Sequence, residues 1–142
     1  MAVVYRLRQN KTFIEAVQKA TLTTDAFGIE PTHGLFGSDE WWGRIISGDL
    51  PIHTLSGYIT KVYMGSMGDW PEFAMKSDGG EKSQWTRKVN AKEQDALYRV
   101  GNRVELDYVI QRHRRASFDR GGEAKCVVEI RILDSSSEVN VN

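Results

Sequence analysis

From Asn102 to Gln111 the chain alternates almost without a break. Val104, Leu106, Tyr108 and Ile110 fall on one side, and Arg103, Glu105, Asp107 and Val109 on the other. Successive side chains leave a pleated backbone in opposite directions, so a period of two marks a strand with one buried face. A helix would scatter these apolar residues around its axis. This run therefore commits its part of the chain to a sheet, and the flanking sequence supplies the neighbours. Leu55–Met64, Glu72–Lys76, Gln84–Val89 and Lys125–Leu133 are further strand candidates, with Cys126, Val128, Ile130 and Ile132 expected inward in the last. Ser77-Asp-Gly-Gly-Glu81 separates the second candidate from the third. An Asp-Gly pair between alternating runs favours the tight turns whose twist matches a hairpin, so these two strands should be antiparallel neighbours. Gly65-Ser-Met-Gly-Asp-Trp-Pro71 is a loop by its turn residues, and Ala91–Tyr98 is a short helix by its composition.

Three strands in a meander, a helix and a two-strand hairpin follow the element order of the OB-fold, a five-stranded partly open barrel. The expected fold class is mainly β with small α content: an OB-like small barrel behind an N-terminal arm. An SH3-like barrel or an irregular α+β sheet is the alternative. A length of 142 residues fits one core. The expected division is an arm with a short helix over residues 1–40, a barrel over 41–134 and a disordered polar tail over 135–142. In the arm, Val3, Val4, Tyr5 and Leu7 suit an extended stretch. Asn10 or Thr12 can cap a helix over Phe13–Thr21, with Glu15 completing a capping box with Thr12. Thr21–Thr24 is poor helix material, and Gly28, Pro31, Gly34 and Gly37 break any continuation. Trp41–Ile46 is a short strand candidate whose paired tryptophans carry a large apolar payload.

Charge and motifs exclude several functions. Nineteen Lys plus Arg balance nineteen Asp plus Glu, which is not the excess a protein needs to coat duplex nucleic acid. One cysteine, Cys126, permits no intrachain disulfide, and its apolar strand setting is that of a core thiol. No run is long and apolar enough to span a bilayer. Met1-Ala-Val-Val-Tyr-Arg-Leu-Arg8 is not built like an export signal, so the cytoplasm is the expected compartment. His33, His53 and His113 lack metal-ligand spacing, and phosphate loops, dinucleotide fingerprints and nucleophile elbows are missing. No cofactor, metal or catalytic residue is expected. Glu105 and Asp107 share a strand face, where cross-strand ionic partners are the ordinary outcome.

The densest chemistry lies between the last two strands. Arg112, Arg114, Arg115 and Arg120 cluster with His113 and Phe118. Guanidinium forks bind phosphates, and interleaved aromatics stack bases. With Trp70, Phe73, Trp85 and Arg87 on the adjoining strands and loop, these residues point to a non-catalytic module for single-stranded nucleic acid. The alternative is a protein-interaction or assembly subunit, self-association included, using an exposed patch of Trp41, Trp42, Tyr58 and Tyr63.

Overall fold

A computed structural model describes residues 1–24, 27–113 and 122–134. Strand β1 (Ala2–Arg6) leads through a 3-10 turn (Leu7–Gln9) into α1 (Lys11–Thr23), and α2 (Asp39–Ser47) follows. Strands β2 (His53–Gly65), β3 (Trp70–Ser77) and β4 (Lys82–Thr86) form a meander. A 3-10 segment (Lys92–Leu97) precedes β5 (Arg103–Arg112) and β6 (Glu123–Leu133).

All five expected strands are present, yet they do not close a barrel. They join a six-stranded antiparallel sheet in the order β1-β6-β5-β2-β3-β4, which is open between β1 and β4. The N-terminal stretch overturns the OB-like expectation. Ala2–Arg6 pairs antiparallel with β6, placing Ala2 opposite Ile132 and Arg6 opposite Glu129. This adds an outer strand beyond β6, and nothing then brings β4 round to the far side. With two α-helices added, the fold is mixed α/β rather than mainly β.

The second departure is Trp41–Ile46, which is helical. Ser38 Oγ accepts from Trp41 N–H at 3.3 Å, and Asp39 and Glu40 occupy the first turn, where carboxylates favour the positive end of the helix dipole. Gly48 ends the helix with φ 87°, a left-handed conformation that suits glycine. In α1, Asn10 Oδ1 accepts from Phe13 N–H, and the helix runs on through the threonines. Thr21 and Thr23 donate their hydroxyls to the carbonyls of Val17 and Lys19, four residues back. Such back-bonding satisfies the hydroxyls within the helix at a slight cost to it.

The described residues form two compact units. The first comprises Met1–Arg6, Thr54–Asp107 and, of the described residues after β5, 129–134. Its core is Val4, Tyr5, Ile59, Phe73, Met75, Trp85, Tyr98, Val104, Leu106, Ile130 and Ile132, all buried. Gly57 lies opposite Ser77, and a Cβ there would collide with the Lys76 carbonyl, so glycine permits this close strand approach. The second unit comprises Leu7–His53 and Tyr108–Val128. Phe36 packs on Phe13 and Trp41, and Trp41 packs on Trp42. The buried Trp41 indole donates to Gln111 Oε1 at 2.9 Å. Along β5 the buried positions change from Val104 and Leu106 to Val109 and Gln111, so the expected alternation slips one residue after Asp107.

Candidate functional site

In the first unit, the same alternation that buries Val104 and Leu106 turns Arg103, Glu105 and Asp107 away from the core. The outward face therefore collects charged side chains, and these divide into two regions of different character.

Across β5, β6 and β1 the charges are spent on one another. Arg131 lies between three carboxylates. Its Nη1 is 2.8 Å from Asp107 Oδ2 and 2.6 Å from Glu129 Oε2, and its Nε is 3.2 Å from Glu105 Oε1. Arg6 holds the other Glu129 oxygen at 3.2 Å, and Thr54 donates to Asp107 at 2.7 Å. Partial burial pushes the Asp107 carboxyl upward, but the bonds from Arg131 and Thr54 outweigh it and hold the group below its usual range. Glu105 and Asp107 thus have the cross-strand partners their spacing suggests.

Across β2, β3 and β4 the lysines at 61, 76 and 82 have no ion pair among the described residues. Lys76 lies directly opposite Lys82, and both are exposed. Lys61, opposite Ala74, shares this outward face and sits over the Tyr63 ring at 4.7 Å. The one carboxylate in this register, Glu72, already accepts from the Tyr63 hydroxyl at 3.0 Å. At the end of the β2–β3 hairpin, six positions along β3 from Lys76, the exposed groups are apolar. Met64 and Trp70 are half exposed, and Met67 is 99% exposed. Met67 also has φ 61° and ψ 22°, an unusual conformation for a residue other than glycine, of the kind that concentrates at functional positions.

The residues expected to bind nucleic acid are not assembled for it. Phe73 is fully buried, and Trp85 faces it across the β3–β4 register, also buried. Neither offers a ring face to a base. Arg87 is a clamp: its Nη1 donates to the carbonyls of Tyr63 and Glu72, each at 2.9 Å, and its Nε pairs with Asp95 at 3.5 Å. Trp70 is half exposed and donates its indole N–H to Thr86 Oγ1. Arg112 ends β5 in the second unit, where its carbonyl accepts from Glu30 N–H. Arg114, Arg115, Phe118 and Arg120 lie outside the described residues. Of the aromatics suggested as a partner patch, Trp41 and Trp42 are buried and Tyr58 is half exposed. The Asp-Gly pair alone does not set the lysines opposite each other: a two-residue turn at Asp78-Gly79 would place Lys76 opposite Glu81, whereas the loop spans Asp78 to Gly80, with Ser77 N–H bonded to the Glu81 carbonyl, and places Lys76 opposite Lys82. Among the described residues no group of His, Cys, Asp and Glu could hold a metal ion.

Residues 1–133 match the family model described as immunity protein RhsI2. The chain belongs to this family. No curated protein matches it. The RhsI2 match covers both helices and all six strands, so it describes the fold as a whole rather than one motif. Membership in an immunity-protein family overturns the nucleic-acid reading and favours the protein-interaction alternative: the partner of an RhsI2-family chain is a protein. Among the described residues no helix is long and apolar enough to cross a membrane.

Proposed function

We propose that this chain is an immunity protein that neutralises an Rhs toxin by direct contact, with the exposed end of the β2–β3 hairpin and the adjoining lysine-bearing face as the contact region. The family match over residues 1–133 carries this reading. The placement of unspent groups supports the choice of surface. Interfaces draw their energy from a few large side chains that become fully desolvated. Met64, Met67 and Trp70 are large, apolar and exposed, while the hairpin beneath them is held by the Arg87 clamp.

The test combines protection with binding. Cells expressing the cognate Rhs toxin domain should survive when this chain is co-expressed, and the two proteins should co-elute as a complex. Met67→Asp should weaken that complex about ten-fold or more, because burying a methionine is worth roughly 1.5–3 kcal/mol. Its folding stability should hold, since aspartate tolerates left-handed backbone better than methionine does. No complex and no protection would overturn the toxin reading. A complex indifferent to Met67→Asp would move the contact elsewhere on the molecule.

A further inference from the structure

We infer that β4 is a docking edge, to which the partner adds an extended strand bearing carboxylates on its outward side. This rests on the toxin-binding reading and specifies how the contact is made. In the β3–β4 ladder, Ser77 N–H donates to the Glu81 carbonyl and Arg87 N–H to the Pro71 carbonyl. These bonds fix the phase of the ladder: residues 81, 83, 85 and 87 turn their backbone groups towards β3. Lys82, Gln84 and Thr86 turn theirs the other way, off the end of the sheet. Among the described residues nothing pairs with those outward N–H and C=O groups. Each unpaired pair is a template for another backbone, and only an extended chain presents donors and acceptors at the matching spacing. Covering Lys82–Thr86 takes about five residues of incoming strand, roughly 17 Å.

The side chains select among strands. Lys76 and Lys82 are like charges set directly opposite each other, a destabilising arrangement with no ion pair to either lysine among the described residues. Lys61 adds a third positive charge to the face. A second copy of this chain paired so that Lys82 meets Lys82 would repeat the repulsion, so the arrangement discourages that self-pairing. A strand carrying Asp or Glu beside Lys82 relieves the repulsion and gains a charge pair. One set of residues therefore rejects the wrong strand and rewards the right one. The edge also adjoins the apolar hairpin end, because Thr86 accepts from the Trp70 indole at 3.1 Å. Strand and hairpin form one continuous surface.

Hydrogen exchange on the full chain, alone and bound to an inactivated cognate Rhs toxin domain, tests this. The amides of Lys82, Gln84 and Thr86 should exchange freely in the isolated chain and become protected about ten-fold or more in the complex. Gln84→Pro, which deletes one outward N–H, and Lys82→Glu, which reverses the charge, should each weaken binding about ten-fold. The Lys82→Glu loss should shrink as salt rises. If the wild-type chain does not bind the toxin domain, the toxin reading itself fails. If it binds but the three amides stay exchangeable and both variants bind as wild type, strand addition alone is overturned. Protection that grows with the chain's own concentration, without toxin, would overturn it in favour of self-pairing.

Discussion

The two edges of the sheet are treated differently by the rest of the first unit. At β1 the outward backbone groups are taken up. Asn90 N–H donates to the Val4 carbonyl, and the Asn90 side chain accepts from Arg6 N–H at 2.6 Å and donates to the Arg6 carbonyl at 3.2 Å. Gln94 Nε2 reaches the Val3 carbonyl at 3.1 Å. The segment from Lys88 to Gln94 thus serves as a cover, and the Tyr98 hydroxyl anchors it through the backbone of Lys88. At β4 three residues present the same kinds of group with no cover among the described residues. An exposed edge is a hazard that proteins suppress when they have no use for it. Suppressing one edge with a dedicated segment, while leaving the other bare but guarded by lysines, separates a structural edge from an interactive one.

The largest effect that would blur this contrast comes from the core under the open edge. Trp85 is the one buried residue of β4, facing Phe73 across the register. Trp85→Ala should cost about 3 kcal/mol, an apparent melting shift of about 10 °C in thermal denaturation. The loss should be accompanied by fraying of β4 in hydrogen exchange, with β1 still protected. Equal loosening of both edges would show that the unit melts as one cooperative block.

Next in size is the anchor of the cover. Tyr98 donates to the Lys88 carbonyl at 2.6 Å and accepts from Lys88 N–H at 3.2 Å, so Tyr98→Phe leaves two polar groups unmatched at about 2 kcal/mol. Burial pushes the Tyr98 phenol well above its ordinary value near 10. The folded chain therefore holds this proton after the unfolded chain has released it. Stability from this source is complete below about pH 10 and falls as pH rises from there towards the folded value. Denaturant titrations between neutral and alkaline pH should show that decline in the wild type and a shallower one in Tyr98→Phe. An identical decline in both would assign it to another group.

Asn90→Ala removes the cover's side-chain contacts to Arg6 while leaving its anchor. Two partly solvated hydrogen bonds to Arg6 are lost, worth about 1 kcal/mol together. The sharper readout is the Arg6 amide, whose exchange should accelerate while amides at the β5–β6 pairing stay slow. An unchanged Arg6 amide would mean that the side chain of Asn90 is not what shields this edge.

How much of this was open to inspection in the sequence depends on the range of the interactions. The strands around Leu106, Phe73 and Trp85 announce themselves because burial acts on every second residue, and the Asp78-Gly79 pair marks the presence of its hairpin, though not its register. The place of β1 is a contact between residues more than a hundred positions apart, and nothing within Ala2–Arg6 says that Ile132 is its neighbour. The helix at Trp41 was obscured by residues that favour strands, although Ser38, Asp39 and Glu40 before it and Gly48 after it mark both of its ends. The candidate site was hidden for a different reason. Alternation puts Phe73 and Met75 on one face without saying which face is buried, so aromatic rings that serve the core could be taken for binding platforms. The opposition of the lysines at 76 and 82 was hidden as well, because it depends on a three-residue loop, Asp78 to Gly80, where the Asp-Gly pair suggests two and would set Lys76 opposite Glu81.

The smallest expected effect gives the sharpest test of the contrast. A proline at position 84 should leave folding almost untouched, because the N–H it deletes points off the sheet and proline is tolerated where an edge strand turns its N–H outward. The expected change is within about 0.5 kcal/mol, or about 2 °C in melting temperature. Gln84 contributes no core contact that would amplify it, as its side chain is exposed. The outcome is informative because the neighbouring positions behave oppositely. Residues 83 and 85 direct their N–H groups into the ladder with β3, and proline there removes a bond the sheet uses, at about 3 kcal/mol or more. A steep loss at Gln84 with mild losses at its neighbours would mean that the ladder is out of phase by one residue. The outward groups of β4 would then be those of Ser83 and Trp85, and the lysines at 76 and 82 would no longer share the face that flanks them.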